Sequence, residues 1–190
     1  VIFSGDAKYT IGQFDGKTFT PEHKKKHQLH YGLYYASQIF NNSPHGRKIQ
    51  IGWAKIEMVN MPFNQTFSFP HELSLRKTED GIRLFAEPIN EIESLYKDTY
   101  VIKNKILSSN KSIEIEVSGN LFDIEITFDI GNAKSIELVI GEENILYNIS
   151  TRTFAPTVWY NGTLSEIKLK PINKQVRIRV LVDHSIIEII

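Results

Sequence analysis

Apolar and charged side chains alternate in short runs through the second half of the chain. Ile113-Glu114-Ile115-Glu116-Val117 is one such run, and Leu121-Phe122-Asp123-Ile124-Glu125-Ile126-Thr127-Phe128 is another. Ile167-Lys168-Leu169-Lys170 and Val176-Arg177-Ile178-Arg179-Val180 repeat the pattern. A period of two buries one side of an extended chain and wets the other, so these runs predict half-buried strands of an antiparallel sheet. Val, Ile and Thr are dense, and apolar residues do not recur with helical spacing over any long stretch. The one helical candidate, Asn90–Tyr96, is short.

Turn residues punctuate the runs. Thr78-Glu79-Asp80-Gly81 separates His71–Lys77 from Ile82–Glu87, which predicts a hairpin. Asp15-Gly16 separates Lys8–Phe14 from Lys17–Thr20 in the same way, and Ser118-Gly119-Asn120, Gly131-Asn132 and Asn161-Gly162 mark further turns. Short strands at this spacing after residue 70 predict a sandwich or barrel. Residues 1–56 predict about four strands rich in aromatics (Tyr9, Phe14, Phe19, Tyr34, Tyr35, Phe40, Trp53), the size of one propeller blade and part of another. Pro62 and Pro70 punctuate an aperiodic stretch between these regions. The expected division is therefore 1–62 and 63–190.

The 190 residues carry 22 Lys+Arg and 22 Asp+Glu, a formal net charge of zero. That balance gives no overall pull toward nucleic acid or an anionic membrane, and neither is expected as a partner. No apolar run approaches the roughly 20 residues of a spanning helix. With no Cys, a thiolate metal site, a disulfide framework and a cysteine nucleophile are all excluded, while the compartment is left open. Both ends read as cut from something longer: there is no leading Met, and the apolar run Ile186–Ile190 stops in mid-pattern.

Candidate chemistry is sparse. His23, His27 and His30 would align on a helix, but Pro21 precedes them and three lysines lie between, so a solvated loop and no metal site is expected. Glu114, Glu116, Asp123 and Glu125 belong to the wet side of a sheet, and Glu57 and Glu72 lie near the expected division. No pair is selected as the two carboxylates of glycoside hydrolysis, so no catalytic residue is assigned. Asp183-His184-Ser185 holds the letters of a triad, but neighbours on a strand point to opposite sides. Asn41, Asn64, Asn110, Asn148 and Asn161 each begin an Asn-X-Ser/Thr sequon. The set Tyr31, Tyr34, Tyr35, Gln38 and Trp53 suits a sugar, whose C–H faces stack on rings and whose hydroxyls bond amides and phenols. Packing between sheets is the alternative.

Several segments together resemble glycoside hydrolase family 32, the β-fructofuranosidases. Residues 8–19, Lys-Tyr-Thr-Ile-Gly-Gln-Phe-Asp-Gly-Lys-Thr-Phe, resemble its Y-x-x-G-x-F-D-G-x-x-F hairpin. Residues 31–40 resemble Y-G-x-D-F-Y-A-x-Q-T-F, and Gly46–Trp53 resembles G-R-R-I-x-I-G-W. Phe69–Leu75 resembles L-P-R-E-L-S-L, and Val180–Glu188 resembles V-F-V-D-R-S-S-x-E. Order and spacing agree from residue 8 to 188. The resemblance implies an all-β chain: an antiparallel, concanavalin-like β-sandwich preceded by a partial blade or blades of a five-bladed β-propeller. It implies that residues 1–20 are outer strands of the fourth blade and that residues 33–56 open the fifth. Tyr34, Tyr35, Gln38 and Trp53 would then be substrate-binding.

The family's catalytic motifs, N-D-P-N-G, R-D-P and E-C, do not occur in this chain, so they are expected upstream of Val1. Leu33-Tyr34-Tyr35 lacks the Asp that many members carry there, and Met61–Gln65 is closer to a levanase-like branch. The expectation is the C-terminal part of an enzyme hydrolysing fructan or sucrose, inactive alone and without a cofactor. A fructan oligo- or polysaccharide is the expected partner. The alternatives are a non-catalytic carbohydrate-binding sandwich and a structural module forming a homo-oligomer through exposed propeller strands.

Overall fold

The computed structural model describes residues 1–156 and 167–190. The turn expected at Asn161-Gly162 and the sequon at Asn161 lie outside the described residues. The chain divides into two compact units, Val1–Thr99 and Tyr100–Ile190.

The first unit opens with short strands β1 (Ile2–Phe3), β2 (Lys8–Thr10), β3 (Gly12–Phe14), β4 (Phe19–Pro21) and β5 (His27–Gln28). They form a three-stranded sheet β1-β2-β5 and the hairpin β3-β4. Asp15 Oδ1 closes the hairpin, accepting the Lys17 and Thr18 N–H groups at 2.8 and 2.7 Å. Then come β6 (Tyr34–Ile39), β7 (Ile49–Ala54), β8 (Thr66–Phe67), β9 (His71–Thr78) and β10 (Gly81–Pro88). The sheet order β6-β7-β9-β10, all antiparallel, is a four-strand meander, and β8 pairs with β7 beside it. The β9–β10 turn is the hairpin read from Thr78–Gly81, with Gly81 at φ +99°, where a side chain is strained. Leu73 and Leu84 pack with Tyr9 and Ile11, and the Leu84 N–H donates to Tyr9 Oη at 3.1 Å.

The expected division after Pro62 lies inside this unit, because β9 hydrogen-bonds to β7 on the other side of it. Pro62 and Pro70 bound an irregular connection between strands of one sheet, and such a connection reads like a linker in sequence.

The second unit is the sandwich. β11 (Phe122–Asp129) is followed by β12 (Ser135–Ile140), β13 (Glu143–Asn148), β14 (Thr153–Pro156), β15 (Ile167–Lys168), β16 (Gln175–Asp183) and β17 (Ile186–Ile189). They form two sheets, β11-β16-β17 and β12-β13-β14-β15. Ile145, Tyr147 and Phe154 of the second meet Val176, Ile178 and Val180 of the first in one buried core. The register places Ile124 opposite Val180 and Ile126 opposite Ile178, so the alternation seen in sequence fills this core.

On the outer side, Arg179 forks onto Asp123 at 2.9 and 2.6 Å, with both side chains largely buried. Removing one member of such a pair strands the other charge. Asp123→Ala is therefore expected to destabilise the sandwich by about 3 kcal/mol, read as a lowered urea midpoint. An unchanged midpoint would show that the pair adds nothing.

Two expectations are corrected here. Ile113–Val117 is not a strand; it lies exposed in an irregular stretch, and the Val117 N–H turns back to the Ile115 carbonyl at 2.9 Å. Alternation makes a strand only when a neighbouring edge accepts its backbone, and none of the described strands does. Asn90–Leu95 is a 3₁₀ turn rather than an α-helix.

Candidate functional site

The residues read as substrate-binding all lie on β6 and β7, but on both sides of the sheet. Tyr35 and Trp53 are register partners in edge-to-face contact, centroids 6.1 Å apart. Phe67 of β8 stands opposite Trp53, which makes a cross-strand row of three aromatics. Their exposures are 41%, 38% and 69%, so the row is open to solvent. Lys55 holds its ammonium 4.4 Å over the Tyr35 ring. Gln38 is exposed and stands opposite Ile51, on the same side of β7 as Trp53. A backbone irregularity at Ala36 (φ +45°) separates Tyr35 from Gln38.

Tyr34 faces the other way. Its ring stacks on His30 with centroids 3.9 Å apart and lies flat against the backbone of Gly52. Around it is a buried polar group that the sequence reading missed. Gln50 and His71 are 1% and 2% exposed. Gln50 Nε2 donates to Ser37 Oγ at 3.0 Å, and His30 Nε2 is 3.3 Å from Gln50 Oε1. The His30 and His71 rings are 5.3 Å apart. Burial pushes the His30 imidazole down to about 4, against the opposing effect of its bond to Gln50, so it is neutral above that pH. The available signal was the alternation Gln50-Gly52-Ala54 on one side of β7: a large polar side chain beside two small ones needs a buried partner.

The remaining candidates resolve as structure. Glu72 accepts from Arg47 Nε at 2.8 Å, and Arg47 also reaches Glu91, drawing β9 to the 3₁₀ turn. This occupies one of the two carboxylates that lie near the expected division. His27 belongs to β5 rather than a solvated loop; its ring lies 5.3 Å from those of Tyr9 and His23. Desolvation lowers its pKa, helped by the charge of Arg83 and by His23. Among the described residues no three His, Asp or Glu side chains converge as a metal site. Asp183 ends β16, and its Oδ1 accepts the His184 N–H at 2.7 Å, so Asp183-His184-Ser185 forms a turn rather than a triad. Asn148 uses its Oδ1 to cap the Ser150–Thr151 turn.

This arrangement can stack the flat face of a ring on the Tyr35–Trp53–Phe67 row and hydrogen-bond to Gln38. The profile of the C-terminal region of glycosyl hydrolases family 32 matches residues 91–189, more than half of the chain. The chain belongs to glycosyl hydrolase family 32. This family 32 chain is 24% identical to a levanase of Bacillus subtilis (strain 168) over 96% of its own length and 31% of that protein. It is 29% identical to a fructan 1-exohydrolase of Bromus pictus over 68% of its length and 23% of that protein. The exo-inulinase of Aspergillus awamori has the same fold, with a TM-score of 0.79, 20% identity, and coverage of 96% of this chain and 41% of that one. The family 32 chain thus spans about a third or less of the curated relatives it matches.

Proposed function

We propose that this chain is the C-terminal part of a glycoside hydrolase that cleaves β-fructosidic bonds in fructan or sucrose. In this reading the first unit is the end of a β-propeller and the second is its β-sandwich. The acid/base and nucleophilic carboxylates are supplied by residues outside these 190. The observation that carries the reading is the family profile on residues 91–189, together with a blade-like sheet ahead of it in the same chain. The names of the relatives, levanase and fructan exohydrolase, support a fructan as substrate. Tyr35, Gln38 and Trp53 would contact the sugar, and Tyr34 would hold the sheet beneath them.

In the longer polypeptide that carries this chain, Trp53→Ala is expected to raise KM for levan about five- to thirtyfold, by loss of aromatic contact worth about 1–2 kcal/mol. Steady-state fructose release measures it. An unchanged KM would remove Trp53 from the sugar-binding surface.

The exposed aromatic row favours a second reading, a non-catalytic carbohydrate-binding module. Retardation of the 190-residue chain in a levan-containing gel, lost with Tyr35→Ala, would support it; equal mobility with and without levan would dismiss it.

A further inference from the structure

Twenty-two residues, 100–121, precede β11 without a strand. Within them Ile113-Glu114-Ile115-Glu116-Val117 keeps the alternation of a strand, while Ile113, Ile115 and Val117 are 41%, 52% and 36% exposed. Joined to the edge of a sheet, such a segment would bury its apolar side and exchange its irregular backbone turn for ladder hydrogen bonds. Among the described residues, the sandwich unit has four outermost strands: β11, β17, β12 and β15.

Charge selects among them. Glu114 and Glu116 would stand opposite the outward side chains of the receiving strand, and like charges directly opposite are destabilising. β11 carries Asp123, Glu125 and Asp129, β12 carries Glu137, and β17 carries Glu188. β15 alone carries lysine. Leu169 prolongs it by donating its N–H to the Arg152 carbonyl at 2.9 Å, so the outer strand reads Ile167-Lys168-Leu169-Lys170. Ile167 and Leu169 pack against the core, while Lys168 and Lys170 are exposed. Ile-Glu-Ile-Glu against Ile-Lys-Leu-Lys matches apolar to apolar and acid to base.

Reach decides whose β15 it is. Asn120 and Phe122 line a cleft with Ile140 and Gly141, at the end of β12. β15 is the third strand beyond β12, so a strand added outside it lies about 19 Å across, at roughly 4.8 Å per strand. The three residues from Val117 to Asn120 span about 10 Å at full extension. The segment therefore falls short of the β15 in its own chain.

We propose that residues 113–117 of one chain add antiparallel to β15 of a second copy, each chain giving and receiving one strand in a closed two-fold dimer. This stands apart from the catalytic reading and from the propeller strands.

Sedimentation equilibrium of the 190-residue chain tests it. A reversible monomer–dimer equilibrium is expected. Glu114→Lys with Glu116→Lys should weaken it about tenfold or more, and Lys168→Glu with Lys170→Glu should do the same. All four positions are exposed, so the melting temperature of the dilute chain should hold. Mixing the two variants restores both pairings, and a heterodimer of about wild-type affinity should form. A monomer at every concentration would overturn the proposal. So would a dimer indifferent to the reversals, or variants that fail to recombine.

Discussion

Gly52→Ala is expected to destabilise the first unit by about 3 kcal/mol, at the upper end of what overpacking costs. A Cβ at this position would sit 2.2 Å from Tyr34 Cζ and 2.3 Å from Cε2. The ring has little room to yield, because its other side is stacked on His30. On an ordinary strand the same change is favourable, since Gly loses more backbone entropy on folding than Ala. The sign therefore identifies the cause. Urea unfolding of the wild type, Gly52→Ala and Gly52→Ala with Tyr34→Ala decides it. Cutting back the ring should recover part of the loss in the double variant, relative to Tyr34→Ala alone. A neutral or stabilising Gly52→Ala would mean that the ring does not lie where the structure puts it.

The second large effect is a loss of stability on mild acidification. His30 is pushed down from 6.5 to about 4 by burial. Above pH 6.5 it is neutral in both the folded and unfolded chain and adds no pH dependence. Between pH 6.5 and 4 the unfolded chain takes up a proton that the folded chain refuses, so the unfolded state gains. Below pH 4 the difference is complete. A shift of this size corresponds to a loss on the order of 3 kcal/mol between pH 7 and 4. His27 is shifted in the same direction and adds to the slope. The carboxylates of Asp6, Asp15 and Glu91 are held low, so their contributions are lost from about pH 5 downward, as the unfolded chain protonates first. Subtracting a His30→Phe variant isolates the His30 part, since Phe keeps the ring stack on Tyr34 and does not titrate. Parallel stability curves for the two proteins between pH 7 and 4 would contradict a buried neutral imidazole.

Much of the fold was legible because its strands alternate and its turns carry Gly, Asn and Asp. Leu121–Phe128 and Val176–Val180 pair as β11 and β16 with their apolar side chains turned to the core, while Asp123, expected on the wet side, is largely buried against Arg179. The β9–β10 hairpin is where Thr78–Gly81 placed it. Ile113–Val117 failed for a reason that alternation cannot encode: a strand also needs a receiving edge. The division near Pro62 failed because proline punctuates loops within a sheet as readily as linkers between units. In the candidate site, Tyr35 and Trp53, two members of the aromatic and polar set, stand as register partners. Tyr34 was grouped with them by proximity in sequence, although strand geometry turns adjacent side chains to opposite sides. The His30–Gln50–Ser37 group was not found, since it joins a loop and two strands that only the folded sheet brings together.

In the proposed function, this family 32 chain serves a fructan-cleaving enzyme without supplying its reacting groups. Fructose release from levan, inulin and sucrose by the purified 190-residue chain tests it most directly, set beside the longer polypeptide from the same reading frame. The expected result is release by the longer polypeptide and none above the buffer rate by the chain alone. Turnover by the chain alone would contradict it, and would require an acid and a nucleophile among the carboxylates assigned here to ion pairs, turns and the wet sides of sheets.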